Sequence, residues 1–292
     1  NIDKVYSVDH FVRAGETILC TDMNIFCGGK GLNQSVALAR AGAEVYHAGA
    51  IGTDGEMLRE QLAASGAHLD YLQTLDMPSG HTALQVTPDG QNCIIVCAGS
   101  NARLTEDYID SVLAHFGAGD MMLVQNEVNN VPYIIRQAKA RGLKVAFNAS
   151  PITASILSYP LELVDYYLVN ETEGRTLSGC DATDYETILA TLHEKFPNAA
   201  IVLTVGSDGV LYQCGDERYA HGIYRVQAVD TTGAGDTFCG FFLASLAKGL
   251  SVPQALENSS LASALAVSRA GACDSIPTWA EMEAFAKTAQ AK

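Results

Sequence analysis

Short apolar runs alternate with stretches of helical periodicity along almost the whole chain, and this alternation restricts the fold more than any other feature. Val45–Ile51 reads as a strand and is followed by a helix over Asp54–Ser65, with apolar residues at 57, 58 and 62. The apolar runs Met121–Gln125 and Lys144–Phe147 flank a helical stretch, Val131–Arg141, in which Ile134, Ile135 and Ala138 share a face. Tyr166–Val169 and Ile201–Val205 repeat the pattern around a helix over Tyr185–Phe196. Two longer helices, about Gly235–Lys248 and Pro253–Arg269, follow near the C-terminus. Apolar strands separated by helices predict an α/β fold of three layers, with a mostly parallel sheet covered on both faces. Only 17% of the residues are charged, below the average of roughly 25%, so the layers must enclose a large core.

Two places interrupt the pattern. Thr82–Thr87 and Asn92–Val96 are strands joined by Pro88-Asp89-Gly90-Gln91, a hairpin signal. Lys4–Val8 and Glu16–Cys20 read as a second strand pair. Together they predict a small antiparallel sheet, drawn from about residues 4–28 and 82–97, that stands apart from the main sheet and suits a lid. No linker, repeat or low-complexity tract divides the chain, so one domain over residues 1–292 is expected. The sequence begins at Asn1 rather than Met, which leaves a removed targeting segment open.

The balance of 18 Lys+Arg against 33 Asp+Glu gives a net charge of −15. Affinity for a polyphosphate comes largely from basic side chains, so no nucleic-acid partner and no anionic membrane partner are expected. No apolar run approaches the roughly 18 residues that cross a bilayer. An acidic chain still binds a nucleotide where backbone N–H groups, a helix N-terminus and a metal supply local positive potential. Eight cysteines are too dilute for a disulfide scaffold, and Cys93 and Cys97 lie too far apart along one strand to be bridged. Buried free thiols in a reducing cytoplasm are expected, and no Cys/His spacing supports zinc.

Chemistry concentrates in Val229-Asp230-Thr231-Thr232-Gly233-Ala234-Gly235-Asp236-Thr237-Phe238. A strand ends, a glycine-rich turn follows, and an apolar helix begins at about Gly235. Successive N–H groups at such a turn, with the helix dipole behind them, form an anion hole. Asp236 in the first helical turn lies beside that hole; the alternative is a helix cap, which would not require three small residues before it. A second glycine-rich stretch, Cys27-Gly28-Gly29-Lys30-Gly31-Leu32-Asn33-Gln34, opens a helix over Leu32–Ala41 that Gly42 ends. It is not a Walker P-loop. Asn170-Glu171-Thr172-Glu173 follows a strand and starts a helix, an arrangement equally expected of a capping box. Asn1 and Asp3 share one side of a strand end.

These segments, in this order over essentially the whole chain to Ser275-Ile276-Pro277, resemble the ribokinase family of carbohydrate kinases, the PfkB family. Lys30, Asn33 and Gln34 match the ribokinase form of the first signature, from which fructokinase-like members usually differ. The resemblance implies a ribokinase-like three-layer fold with a β lid, and a homodimer formed through that lid. It makes Asp236 the catalytic base and the amides of Gly233, Ala234, Gly235 and Asp236 the anion hole. Asn1, Asp3, Gly29, Lys30, Asn33 and Glu127 match sugar-binding positions. Asn170 and Glu173 match the segment near the phosphates and Mg²⁺, and Thr204, Gly206 and Gly209 the nucleotide-side loop. Asp230, Thr232, Ala266, Arg269, Gly271 and Ser275 match loops that hold an activating K⁺. One departure stands out: the family's first core strand, which ends just before the sugar-binding Asn, is not among these residues.

The implied activity is ATP-dependent phosphorylation of the primary hydroxyl of a pentose, D-ribose at O5. The nearest rivals are same-fold kinases for another sugar, a phosphosugar or a nucleoside. A phosphosugar acceptor needs basic residues, for which Arg13 and Lys30 are the candidates; a nucleoside needs an apolar lid, for which Phe11 and Phe26 are available. A non-catalytic sugar or nucleotide sensor has no use for a base at the anion hole. A Rossmann dehydrogenase fails because no Gly-x-Gly-x-x-Gly follows the first strand.

Overall fold

The computed structural model describes residues 1–291. In chain order the elements begin β1 (Ile2–Ser7), β2 (Asp22–Cys27), α1 (Lys30–Arg40), β3 (Gly49–Gly52), α2 (Glu56–Ser65), β4 (Leu72–Leu75), β5 (His81–Val86) and β6 (Asn92–Cys97). They continue with α3 (Glu106–Leu113), β7 (Met121–Gln125), α4 (Val131–Ala140), β8 (Lys144–Asn148), β9 (Tyr166–Asn170), α5 (Glu171–Ser178) and α6 (Tyr185–Lys195). The last are β10 (Ala200–Thr204), β11 (Val210–Cys214), β12 (Glu217–His221), α7 (Ala234–Ala247), α8 (Val252–Val267) and α9 (Trp279–Ala286).

The main sheet has the order β12-β11-β10-β9-β8-β7. Strands β7 to β10 pair in parallel, and β11 and β12 add an antiparallel edge. Successive residues of a strand face opposite sides, and here both sides are apolar. Val145, Phe147, Tyr167, Val169, Ile201 and Leu203 pack under α4, α5 and α6. Their neighbours Ala146, Leu168, Ala200 and Val202 pack under α7 and α8, against Phe238, Phe242, Leu243 and Leu256. The predicted three layers follow from that double burial. No helix among the described residues is long and apolar enough to cross a membrane.

Two expectations about the sheets are corrected. The lid is a four-stranded sheet of order β2-β1-β5-β6, but it is not wholly antiparallel: β1 and β5 run parallel at its centre, while β1/β2 and β5/β6 are antiparallel. Glu16–Cys20 is also not a strand. The partner of β1 is Asp22–Cys27, whose pairing of Ile2 with Cys27 leads the chain straight into the glycine turn. The hairpin after β5 forms as its turn residues dictate, with Gly90 at φ +82°. In addition, β3 and β4 form a separate parallel pair, and a cavity of about 1180 Å³ lies between β3 and β7. Asn1 and Glu127 are among the residues that line it.

Contact between α1 and α7 sets the site. Gly240 carries no side chain where one would collide: a Cβ there would lie 2.3 Å from that of Ala37 and 2.8 Å from the Leu38 nitrogen. The two helices therefore approach backbone to backbone. Gly240 is one turn after Asp236, and Ala37 one turn after Asn33 and Gln34, so the same approach brings those three side chains together.

All eight cysteines are free, but the expectation of burial fails for most of them. Only Cys239 and Cys273 are buried, whereas Cys20, Cys93 and Cys97 are exposed on or beside the lid. The outer strand β6 and most of β2 are exposed, so the apolar residues there stay in solvent.

Candidate active site

Helix α7 begins at Gly233, which is held at φ +75° with no side-chain cap. A Cβ at Gly233 would lie 3.1 Å from the Ala272 carbonyl, so the turn needs glycine for space as well as for conformation. The N–H groups of Gly235 and Asp236 have no acceptor among the described residues. Ala234 uses its carbonyl to accept from Ser263 Oγ at 3.0 Å, which ties the turn to α8. The Ala234 N–H, expected in the anion hole, is donated to the Thr231 carbonyl at 3.3 Å, so the unspent, positively polarised part of this N-terminus is Gly235 and Asp236.

Asp236 is buried in the first turn of α7, and its carboxylate is held from α1. Asn33 Nδ2 donates to Oδ2 at 3.0 Å and Gln34 Nε2 donates to Oδ1 at 2.8 Å. Asn33 Oδ1 is buried without a partner. A buried acceptor left unsatisfied is costly, and a bound hydroxyl would satisfy it.

The residues expected to bind the sugar gather around the Gly28–Gly29 turn that precedes α1. Gly29, at φ +87°, starts α1; a Cβ there would come within 2.8 Å of the Asn1 nitrogen. Asn1 Oδ1 accepts from Asn101 Nδ2 at 2.7 Å, and Asp3 Oδ1 accepts from Thr82 Oγ1 at 2.7 Å. Gly28 is excluded from carrying a side chain by Asp3, whose Oδ2 would lie 1.8 Å from its Cβ. The Lys30 N–H donates to Glu127 Oε2 at 2.7 Å. Burial works against the Lys30 charge, yet the carboxylates of Asp236, Glu127 and Glu173 outweigh it and hold the ammonium above its ordinary pKa. Burial also pushes the carboxyls of Asp3 and Glu127 up, opposed by Thr82 and by Lys30 respectively.

At the start of α5, Asn170 and Glu173 form the capping box that the sequence left as one of two readings. Asn170 Oδ1 accepts from the Glu173 N–H at 2.9 Å, and Glu173 Oε2 accepts from the Asn170 N–H at 3.0 Å. Glu173 is nonetheless buried and close enough to Lys30 to raise its pKa. Thr204 ends β10, and Gly206 and Gly209 bracket a short 3₁₀ turn after it. Gly209, at φ +101°, lies where a Cβ would meet the His221 carbonyl at 2.1 Å.

The loops expected to hold a cation do meet. Asp230 accepts from the Thr232 N–H at 2.9 Å and, across 41 residues, from the Gly271 N–H at 3.1 Å. Ser275 is buried and donates to the Ala272 carbonyl, the same residue that crowds Gly233. Ala266 is buried and accepts from the Arg269 N–H, but the Arg269 guanidinium turns away to Glu281 at 2.8 Å. Among the described residues no cluster of three His, Cys, Asp or Glu could hold a metal. Gln34 joins the site without a role implied by the sequence, and so do Gln125 and Asn148, whose side-chain amides meet it from β7 and β8. The only signal for Gln125 and Asn148 was a polar residue ending an apolar strand.

The chain matches the pfkB carbohydrate kinase family over residues 1–279. A ribokinase from Haemophilus influenzae is 35% identical over 98% of this chain and 95% of its own length. Among solved structures, ribokinase from Cryptococcus neoformans in complex with ADP is 33% identical, with a TM-score of 0.86 over 97% of this chain and 96% of the other. Ribokinase from Arabidopsis thaliana complexed with ribose and ATP is 28% identical, with a TM-score of 0.89 over 98% of this chain and 96% of the other. The chain belongs to the pfkB family of carbohydrate kinases, and it is an ATP-dependent kinase acting on an alcohol group.

Proposed function

We propose that the chain transfers the γ-phosphoryl group of ATP to the O5 hydroxyl of D-ribose, with Asp236 as general base. The observation that carries this reading is the buried Asp236 carboxylate beside the free Gly235 and Asp236 amides of α7, held by Asn33, whose own Oδ1 is buried without a partner. The acceptor hydroxyl would bond Asp236, lose its proton to the carboxylate, and attack phosphorus in line. The amides of Gly233, Gly235 and Asp236 would stabilise the oxygens of the transferring group, and such preorganised donors supply most of the catalysis in phosphoryl transfer. Lys30 adds the positive charge that a chain of net −15 otherwise lacks at this point.

Asn1, Asp3, Gly29, Lys30, Asn33 and Glu127 would bind the sugar. Thr204, Gly206 and Gly209 would approach the nucleotide by backbone. Mg²⁺ would arrive with ATP, neutralise its phosphates, and meet Asn170 and Glu173. Both residues are committed to the cap and retain lone pairs for metal-bound water rather than a dedicated cage. For K⁺ the donor set fits: the Asp230 carboxylate, the Ser275 hydroxyl and carbonyls of Ala266, Arg269 and Gly271 are all oxygens, as a hard cation prefers. Thr232 and Gly271 are already drawn to Asp230, so a cation there would stiffen the turn that leads into Gly233.

We also propose a homodimer through the lid. Met23, Ile25 and Phe26 on β2 and Ile94, Ile95 and Val96 on β6 are exposed on the two edge strands, and a second copy would cover them. A cytoplasmic location accords with the free cysteines. The deciding experiment is ATP turnover across ribose, fructose, fructose 6-phosphate and adenosine, with and without KCl at constant ionic strength. Ribose should give the highest kcat/KM, and K⁺ should raise it. Preference for another acceptor would overturn the substrate, and a flat salt response would remove the cation site.

A further inference from the structure

Gln34 is buried completely and has no substrate-facing role in the reading above, yet every polar atom of its side chain is used. Its Nε2 donates to Asp236 Oδ1 at 2.8 Å and to Asn148 Oδ1 at 3.1 Å. Its Oε1 accepts from Gln125 Nε2 at 2.6 Å. Asn148 is anchored in turn, because its Nδ2 donates to the Leu168 carbonyl at 2.7 Å. The amide can therefore stand only one way round: flipped, it would set an oxygen against the Asp236 carboxylate and a nitrogen against the Gln125 donor. This network runs from β7 through α1 to α7, with its fixed end on the backbone of β9.

We propose that Gln34 is a positioning residue for Asp236: oriented by Gln125 and Asn148, it holds Oδ1 and, with Asn33 on Oδ2, fixes the orientation in which the carboxylate meets the acceptor hydroxyl. This deepens the general-base reading and rests on it. Among the described residues each carboxylate oxygen has one side-chain donor, Gln34 Nε2 at Oδ1 and Asn33 Nδ2 at Oδ2, so lone pairs remain for the proton. The unpartnered Asn33 Oδ1 lies on that same side chain and can accept from the substrate. The base acts through this carboxylate, so the loss of a donor that holds it is read in the pH profile of turnover. The other titratable groups acting on Asp236 or Lys30 are Glu127 from the β7–α4 segment, Lys30 from α1, Cys239 from α7 and Glu173 from α5. None is altered in the variants below.

The test compares the wild type with Gln34→Leu, Gln34→Glu, Gln125→Leu and Asp236→Asn, each checked by thermal melting, using ATP·Mg²⁺ and D-ribose from pH 4.5 to 9. In Gln34→Leu the acid limb of kcat/KM should move up by about one pH unit, and kcat should fall by about tenfold or more, with ribose KM within about threefold. Gln34→Glu should move the limb further in the same direction, since two carboxylates would then share one site. Gln125→Leu, remote from Asp236, should give a smaller shift of the same sign, and it carries the test if the Gln34 variants do not fold. Folded variants with an unmoved acid limb, or with kcat and KM degraded together at every pH, would overturn the inference. Asp236→Asn separates the two levels: if it turns over normally the general-base reading itself fails, whereas its loss beside a wild-type-like Gln34→Leu and Gln125→Leu sinks only the role of Gln34.

Discussion

Helices α5 and α7 each follow a strand or turn, and both carry a buried carboxylate in the first turn. They use it in opposite ways. At α5 the cap residue is Asn170, and Glu173 returns its hydrogen bonds, so the helix N-terminus and the carboxylate satisfy one another. At α7 the cap is Gly233, which offers no side chain, and Asp236 is held by Asn33 and Gln34 from another helix. The Gly235 and Asp236 amides therefore remain available for an anion, and the α7 carboxylate remains available for a proton. An acidic residue in a first helical turn is a common structural device, and what separates a cap from a candidate base is which partners the tertiary fold supplies.

The largest test of that contrast is Asp236→Asn. Turnover should fall by roughly 10²–10⁴ while melting temperature and ATP affinity hold, because the amide keeps the shape and can still bond its neighbours. Near-normal turnover would remove the distinction between the two helices.

Gly240→Ala strikes the helix contact that makes the α7 arrangement. A methyl 2.3 Å from that of Ala37 must push α1 and α7 apart. The expected cost is about 1–3 kcal/mol, as for overpacking elsewhere in protein cores. Turnover should fall alongside, since Asn33 and Gln34 would draw away from Asp236. A melt that matches the wild type would show that the helices slide without penalty.

At α5, Asn170→Ala should cost about 1 kcal/mol, the usual worth of a side-chain cap. Its kcat should drop by less than that of Asp236→Asn, with ATP KM carrying most of the change. A kcat loss as deep as that of Asp236→Asn would mean that the two helix starts do the same job.

Smallest is Asp3→Asn, which asks whether the sugar side is also held ready at a cost. Burial raises the Asp3 pKa above its ordinary value. As pH rises past that ordinary value the unfolded chain ionises first, so the folded state binds more protons and its stability declines. The decline ends once the folded carboxyl has ionised as well. Asp3→Asn should therefore melt about 1–3 °C higher than the wild type at pH 7 without sugar, and the difference should vanish near pH 3. Sugar binding should weaken in the same variant by about 1–3 kcal/mol. A lower melting point at pH 7 would show that the Thr82 bond outweighs the desolvation.

Much of this was legible in the linear chain. The strands of the main sheet are apolar on both faces, so β7, β8, β9 and β10 could be read from composition and flanking helices alone. β4, β11 and β12 carry no such signal, because short strands with mixed burial show no clear period. The lid was foreseen from the Pro88–Gln91 turn, but its register was not. Alternation gives the side that a residue faces and says nothing about which strand lies beside it, so the parallel β1/β5 pairing and the true β2 came only with the fold.

The same division holds for the site. Glycines 28, 29 and 233, Lys30 and Asp236 stand in local signatures, because a turn that must leave its amides free has a local requirement for small residues. Asn33 and Gln34 lie more than 200 residues from Asp236, and Asp230 lies 41 from Gly271. No local preference encodes such meetings. They arise from close packing, in which the missing side chain of Gly240 lets one helix seat against another, and that contact brings the two amides that hold the Asp236 carboxylate from either side.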